Sequence, residues 1–430
     1  MAYHPRGLKK LFHDSRRFLA RKNLSGKPAL QIGITGSQGK TNTTHILTGI
    51  LRRFGRVVVT DTNLDTTFNV PITALKVRNT TDYVIWELGI DHPGEMERHL
   101  EIARPQIGII TGISAVHTDK EHMGSLETLI AEKRKLIEAL PPDGYALLNG
   151  DDPHTRAMAP FTRAKVLLFG TTRDCAVWVD PRKVTLSLEG TRLTIIEGKR
   201  QIPLFTGLVG VHHIYNLLAA YLVVCLAIGR EGLLSDEQLG TFREAVAALR
   251  PLPGRMSVEI GPRGTVLLND SLRANPASTR SGLRTLAELH EPERKKIAIL
   301  AEMGELEKAE LEHAELGTFL AELLLDFVVC IGPLQKHTYR AALQRGLDKE
   351  RIAWVPDVFE AAHVLDPMID PGDIIYLKGS LLRHVERVLL LLQGREIGCT
   401  VISCPFYRPC TDCKHLQRGY QHVLMKNRSI

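Results

Sequence analysis

Between Gly33 and Thr41 the chain reads Gly-Ile-Thr-Gly-Ser-Gln-Gly-Lys-Thr, a run suited to the end of a strand, a tight backbone curl and the start of a helix. Gly36 and Gly39 let the backbone turn so that successive N–H groups converge, which makes a phosphate cradle at a helix N-terminus. Lys40 adds a point charge, and the Thr41 hydroxyl is of the kind that ligates Mg2+ beside a nucleotide. Gln38 lies within the same curl and is counted with Gly36, Gly39, Lys40 and Thr41 as nucleotide-binding. A standard P-loop places glycine five positions before its last glycine; here that position is Ile34, so the loop departs from the commonest form. The expectation is a chain that uses ATP.

The 430 residues, 44% of them hydrophobic, suffice for more than one core, and two or three domains are expected. No apolar run approaches the roughly 20 residues of a membrane-spanning helix, and the first residues lack the apolar segment of a secretory signal. A cytoplasmic protein is therefore expected. The formal net charge of +7 is unevenly placed. Residues 1–28 hold eight Lys/Arg against Asp14, and residues 394–430 hold six against Glu396 and Asp412, so the body between them is slightly acidic. The basic character belongs to the two ends. Near the start, Leu8, Leu11, Phe12, Phe18 and Leu19 recur at helical spacing between basic residues, which predicts a helix that docks by its apolar face.

Apolar strand-like runs then alternate with helical segments, the pattern of a mostly parallel sheet that binds ligands at its strand ends. Such runs are Arg56–Thr60, Tyr83–Trp86 leading into Glu87, and Ile107–Ile110. Pro251-Leu252-Pro253-Gly254 punctuates the chain, after which the rhythm restarts at Thr265–Leu268, Lys296–Leu300, Phe327–Ile331 and Asp373–Leu377. The expected fold class is α/β: a central P-loop ATPase domain, a C-terminal Rossmann-like domain and a small cysteine-rich tail. The expected boundaries are a basic amphipathic helix over 1–28, the ATP-binding domain over 29–250, the second domain over 251–393 and the tail over 394–430.

The motifs accumulate in an order that resembles the Mur ligase family of ATP-dependent amide-bond ligases. Thr35–Thr41 is similar to the family's TGxxGKT loop. Asn63-Leu64, Val70–Thr73, Glu87-Leu88-Gly89 with His92-Pro93-Gly94-Glu95, His117, Lys133, and Asn149–Asp152 follow in order. Gly210–Asn216 looks like the adenine-contacting motif; Pro253-Gly254-Arg255, Asn269–Pro276, Glu302–Leu306, His313 and Lys378-Gly379-Ser380 continue the match. The resemblance implies that a carboxylate is activated by ATP as an acyl phosphate and then attacked by an amine. It implies catalytic roles for Lys40, Glu87, His117, Lys133 and Arg255. It gives Mg2+ to Thr41, Glu87 and His117, adenine to Asn216, phosphates to Arg255 and the nucleotide to Asp270. Lys133 matches a lysine carried as a carbamate in several members, which would turn a cation beside the metal into an anion. The partners expected are a small-molecule or peptide carboxylate and an amine.

Departures from the family pattern point to a changed substrate. In the peptidoglycan enzymes a UDP-sugar-binding domain precedes the phosphate loop, and the residues before Gly33 leave no room for one, so a UDP-linked substrate is not expected. His213 replaces an asparagine of the adenine motif, Leu272-Arg273 replaces Tyr-Asn, and Leu381 stands where arginine follows Lys378-Gly379-Ser380. Outside the pattern, Cys399, Cys404, Cys410 and Cys413, with His415 and His422 nearby, have a composition suited to tetrahedral Zn2+, an iron–sulfur cluster being the other reading. With Phe406, Tyr407 and Tyr420 the basic tail is also suited to docking a protein partner. The alternative function is a nucleic-acid-associated P-loop NTPase or scaffold whose working parts are the basic ends.

Overall fold

A computed structural model describes residues 8–417 except 62–65, 115–121, 230–232, 305, 405 and 407–408, without the side chains of 8–10, 66 and 67. Asn63, Leu64, His117, Glu305, Tyr407, Tyr420 and His422 thus lie outside the described residues. The chain divides into two compact units, the first made of residues 1–185, 190–207 and 211–250, the second of 186–189, 208–210 and 251–430.

The first unit is built on a sheet whose strands are β1 (Leu30–Thr35), β2 (Val57–Val59), β3 (Tyr83–Glu87), β4 (Ile107–Ile110), β5 (Tyr145–Asn149), β6 (Lys165–Gly170), β7 (Val177–Val179), β9 (Gly190–Glu197) and β10 (Arg200–Thr206); the short β8 (Thr185–Ser187) falls where the chain leaves this unit. The nine run β10-β9-β7-β6-β5-β4-β1-β3-β2. From β2 to β7 neighbouring strands are parallel, while β9 pairs antiparallel with both β7 and β10. The central strands are apolar runs without polar alternation, as strands covered on both faces must be, and β4 is buried throughout. Strand β1 has β3 on one side and β4 on the other, so chain order reverses beside it. Such a switch point opens a crevice at the carboxyl ends of the strands, where α/β proteins hold ligands.

Helix α1 (Leu8–Leu24) forms as predicted but docks by a different face. Leu11, Phe12, Phe18 and Leu19 are exposed, whereas Ala20 and Leu24 join the core that holds Val70, Ala74 and Trp86. The Asn23 side chain donates to the carbonyls of Ala74 and Val77 at 2.8 and 2.9 Å. A small residue and a capping amide thus fix the contact, and the large apolar side chains are left outward.

The second unit carries a six-stranded sheet of β11 (Ser257–Ile260), β12 (Val266–Asp270), β13 (Lys296–Leu300), β14 (Phe327–Ile331), β15 (Ile352–Val355) and β16 (Ile374–Lys378). Their order is β11-β12-β16-β13-β14-β15, parallel except for the β11–β12 pair. The tail folds back within this unit. Leu390, Cys410 and Leu416 form a small buried cluster, with Ile397 and Cys413 packed on it.

Candidate active site

The Gly33–Thr41 run folds as its residues require. Strand β1 ends at Thr35, and helix α2 (Lys40–Leu51) begins after Gly39, which sits at a left-handed φ of 82°. A side chain at Gly36, whose φ is 152°, would place its Cβ 2.1 Å from the Thr111 Oγ1. That hydroxyl also donates to the Gln38 carbonyl, and the Ser37 hydroxyl donates to Ser114 O at 2.9 Å. The loop is therefore held shut from the β4 side.

Two lysines share one acceptor there. Lys40 Nζ donates to the Gly36 carbonyl at 2.6 Å and Lys133 Nζ donates to it at 3.0 Å. Lys133 comes from α5 (Leu126–Glu138), a helix that starts at a Ser125 cap and turns Leu129, Lys133, Leu136 and Ile137 inward. Burial first, and then the charge of Lys40, hold its amine well below the usual lysine range; Asp91 and Glu132 pull the other way. Glu132 is buried too: its Oε1 accepts the N–H groups of Gly94 and Met96 at 2.9 and 3.0 Å. His92 and Glu95 belong to the same turn, Glu95 Oε2 accepting the N–H of Asp91 at 2.7 Å.

At the end of β3, Glu87 Oε1 accepts the Thr41 hydroxyl at 2.8 Å. Its other oxygen, Oε2, is buried and has no hydrogen-bond partner among the described residues. A buried carboxylate oxygen without a donor is costly, and it points to a hard cation as its partner. Thr41 and Glu87 thus fit Mg2+. His117 lies outside the described residues.

Asn216 sits on the inward face of the helix His213–Ile228; its Oδ1 accepts the Thr43 hydroxyl at 3.0 Å and would lie 3.2 Å from a Cβ at Gly39. Its Nδ2 is 3.5 Å from His213 Nδ1. Burial, then His212 and His45, hold His213 well below the ordinary histidine value, so the ring is neutral.

In the second unit Asp270 ends β12, and its Oδ2 accepts from Lys378 Nζ at 2.6 Å and from the Tyr376 hydroxyl at 3.1 Å. Arg255 follows the turn at Gly254, its N–H donating to Leu252 O at 3.1 Å. His313 is structural: its Nε2 accepts the Met303 N–H at 3.2 Å. Cys399, Cys404, Cys410 and Cys413 line one small pocket with His384 and His415. All four are free thiols. Burial foremost pushes the Cys410 thiol up, and Glu386, Cys399 and Cys413 add to it against the pull of Arg387.

The sequence pattern gave no role to three side chains that shape these sites. Thr111 closes the loop, Glu132 fixes the His92–Met96 turn, and His384 lines the cysteine pocket. For Glu132 a signal was present: it falls three residues after Leu129 and four before Leu136, on the apolar face of α5. Thr111 and His384 carry none.

Fold and loop together define an ATP-binding α/β protein with a second, smaller sheet domain. The Mur ligase middle domain model matches residues 34–224, and the Mur ligase glutamate ligase domain model matches residues 254–381. The UDP-N-acetylmuramoyl-tripeptide--D-alanyl-D-alanine ligase of Mycobacterium tuberculosis is 32% identical over 368 residues, covering 81% of this chain and 70% of its own length. The enzyme of that name from Bacillus subtilis is 27% identical over 361 residues, covering 83% and 74%. Among solved structures, MurF from Acinetobacter baumannii has a TM-score of 0.77 at 24% identity, covering 90% of this chain and 80% of that one. MurF ligase from Thermotoga maritima, in complex with ADP, has a TM-score of 0.75 at 22% identity, covering 89% and 83%. The chain belongs to the Mur ligase family. It is an ATP-dependent, ADP-forming amide ligase that uses ATP and Mg2+. The nucleic-acid-associated alternative finds no support in these comparisons.

Proposed function

We propose that the loop Gly36–Thr41 holds ATP for transfer of its γ-phosphoryl group to a small-molecule or peptide carboxylate. The acyl phosphate so formed is attacked at carbon by an amine, phosphate leaves, the amine's proton passes to base, and an amide remains. The charge spread over the transferring phosphoryl oxygens has to be met by cations and oriented donors. Lys40 serves the β- and γ-phosphates. Thr41, Glu87 and His117 hold Mg2+, which neutralises phosphate charge. Asn216 reads the adenine, Arg255 the phosphates, and Asp270 the nucleotide. The observation that carries this reading is the Thr41–Glu87 pair with the unpartnered buried Glu87 Oε2 beside it.

Lys133 is proposed to act as its carbamate. Burial lowers the amine's hold on its proton, and the neutral amine adds CO2 with loss of one proton; the product is an anion where a second cation beside Lys40 would be unfavourable. The tail's cysteine cluster (Cys399, Cys404, Cys410, Cys413) is proposed to supply the ligands of one Zn2+, and the reaction is placed in the cytoplasm, where ATP is abundant. The names of the relatives suggest a peptide-like acid and a dipeptide-like amine as first candidates.

The test is trapping. Incubation with ATP, Mg2+ and candidate acids in the presence of hydroxylamine is expected to give an acyl hydroxamate and one ADP per product. ATP hydrolysis that never yields a hydroxamate from any carboxylate would overturn the proposal.

A further inference from the structure

From the geometry around the cysteine pocket we infer that His384 Nε2 is one of the zinc ligands, with Cys410 and two of Cys399, Cys404 and Cys413 supplying three thiolates and Glu386 orienting the histidine. This rests on the reading of the tail cluster as a zinc site and changes its donors: one ligand comes from the body of the ligase domain.

His384 follows the short turn Leu381–Arg383 and is 3% exposed. Its Nδ1 lies 3.0 Å from Glu386 Oε1. A carboxylate accepting from Nδ1–H fixes the tautomer and leaves Nε2 with a lone pair, the arrangement that usually stands behind a metal-bound imidazole. Nε2 is buried and has no hydrogen-bond partner among the described residues, and the ring lines the cysteine pocket. His384, Glu386 and Cys410 each offer a donor atom within 4.8 Å of the others. His384 also holds a left-handed φ of 47°, a conformation that histidine and asparagine adopt more readily than most residues other than glycine.

Backbone hydrogen bonds tie the cysteines to this segment and to one another. Glu386 Oε1 also accepts the Cys410 N–H at 3.1 Å, so one carboxylate positions the histidine and the first cysteine of the Cys-x-x-Cys turn. That turn is closed by Cys413 N–H to Cys410 O at 3.0 Å. Cys399 is fastened to the turn's far end through its N–H to Leu416 O at 3.1 Å. Cys404 lines the same pocket, its N–H donating to Leu382 O at 2.8 Å.

Charge balance selects the same set. The Arg387 side chain is 3% exposed, and it donates to the carbonyls of His384, Cys399 and Val401 at 3.2, 2.8 and 2.7 Å. Among the described residues no carboxylate pairs with it. A buried guanidinium without an anion is strongly disfavoured. Three thiolates and one neutral imidazole around Zn2+ carry a net single negative charge, which Arg387 offsets; three thiol protons are released on binding. The metal would then clasp the tail to the segment that follows β16.

The test uses the full chain. Metal analysis is expected to find one zinc per chain, and zinc-edge X-ray absorption to find three sulfurs and one imidazole. His384→Asn, chosen because asparagine tolerates a left-handed backbone, should weaken zinc affinity in chelator competition by about tenfold or more. Zinc bound by four sulfurs, with His384→Asn silent, would overturn the assignment of His384 while the zinc reading stands. No metal, or iron with sulfide, would overturn both. The absorption spectrum of the unaltered protein decides even if a variant fails to fold.

Discussion

Lys133 Nζ and the Gly36 carbonyl, 97 residues apart in sequence, are joined by a 3.0 Å hydrogen bond in the interior of the first unit. Through it the α5 helix supports the phosphate loop with an amine whose proton affinity burial lowers well below that of an ordinary lysine.

The stability consequence has a definite sign. A lysine whose folded-state pKa is depressed binds fewer protons folded than unfolded, so between that depressed value and its ordinary value near 10.4 stability rises with pH. The penalty is complete below the depressed value and gone above the ordinary one. Lys133→Met should therefore abolish ligase turnover yet gain stability relative to the unaltered protein at neutral pH, and the gain should shrink as pH rises toward about 10. Urea melts of both proteins at several pH values, in buffer free of bicarbonate, measure this. Parallel pH profiles would refute it.

At Gly36 space is the limit. Alanine there would bring its Cβ 2.1 Å from Thr111 Oγ1, at a positive φ that alanine disfavours. Overpacking of this kind costs roughly 1–3 kcal/mol. Gly36→Ala should lower the melting temperature and remove detectable binding of a fluorescent ATP analogue, whereas Gly26→Ala, with nothing within 4 Å and a positive φ of its own, should leave nucleotide binding intact. Equal nucleotide affinities for the two variants would count against a shape-determined loop.

In the second unit Lys378 is 2% exposed, and its ammonium meets Asp270 Oδ2 at 2.6 Å. Removing one member of a buried pair costs about 3–5 kcal/mol because the other is left uncompensated. Asp270→Asn should lose stability on that scale, and adding Lys378→Met should recover a large part of it. A double-mutant cycle in urea supplies the number, and additivity of the two changes would show that the pair is not coupled.

How far the sequence reached depended on what each signal was made of. The phosphate loop was legible because its glycines are demanded by backbone geometry, which local sequence records. The restart of strand rhythm after Pro253 was legible for a similar reason: apolar runs such as Phe327–Ile331 report burial directly. Helix α1 was legible as a helix and misread as a surface. Periodicity marks which residues share a face, but the partner decides which face it accepts, and here Ala20 is buried and Asn23 bonds to Ala74 of α3 (Thr66–Lys76) while Phe12 and Phe18 stay exposed. Glu132 and Lys133 looked like ordinary helix charges because a buried ionisable group differs from a solvated one only through residues distant in sequence. His384 shows the limit of such reading, since its neighbours Cys399 and Cys410 reach it only after the tail has turned back.

The shared acceptor at Gly36 also bears on how a nucleotide enters. Lys40 Nζ is held against a carbonyl oxygen of the loop itself, so meeting a phosphate is an exchange of partners rather than the capture of an idle cation. Part of the attraction between lysine and phosphate is then offset by the 2.6 Å bond that is given up.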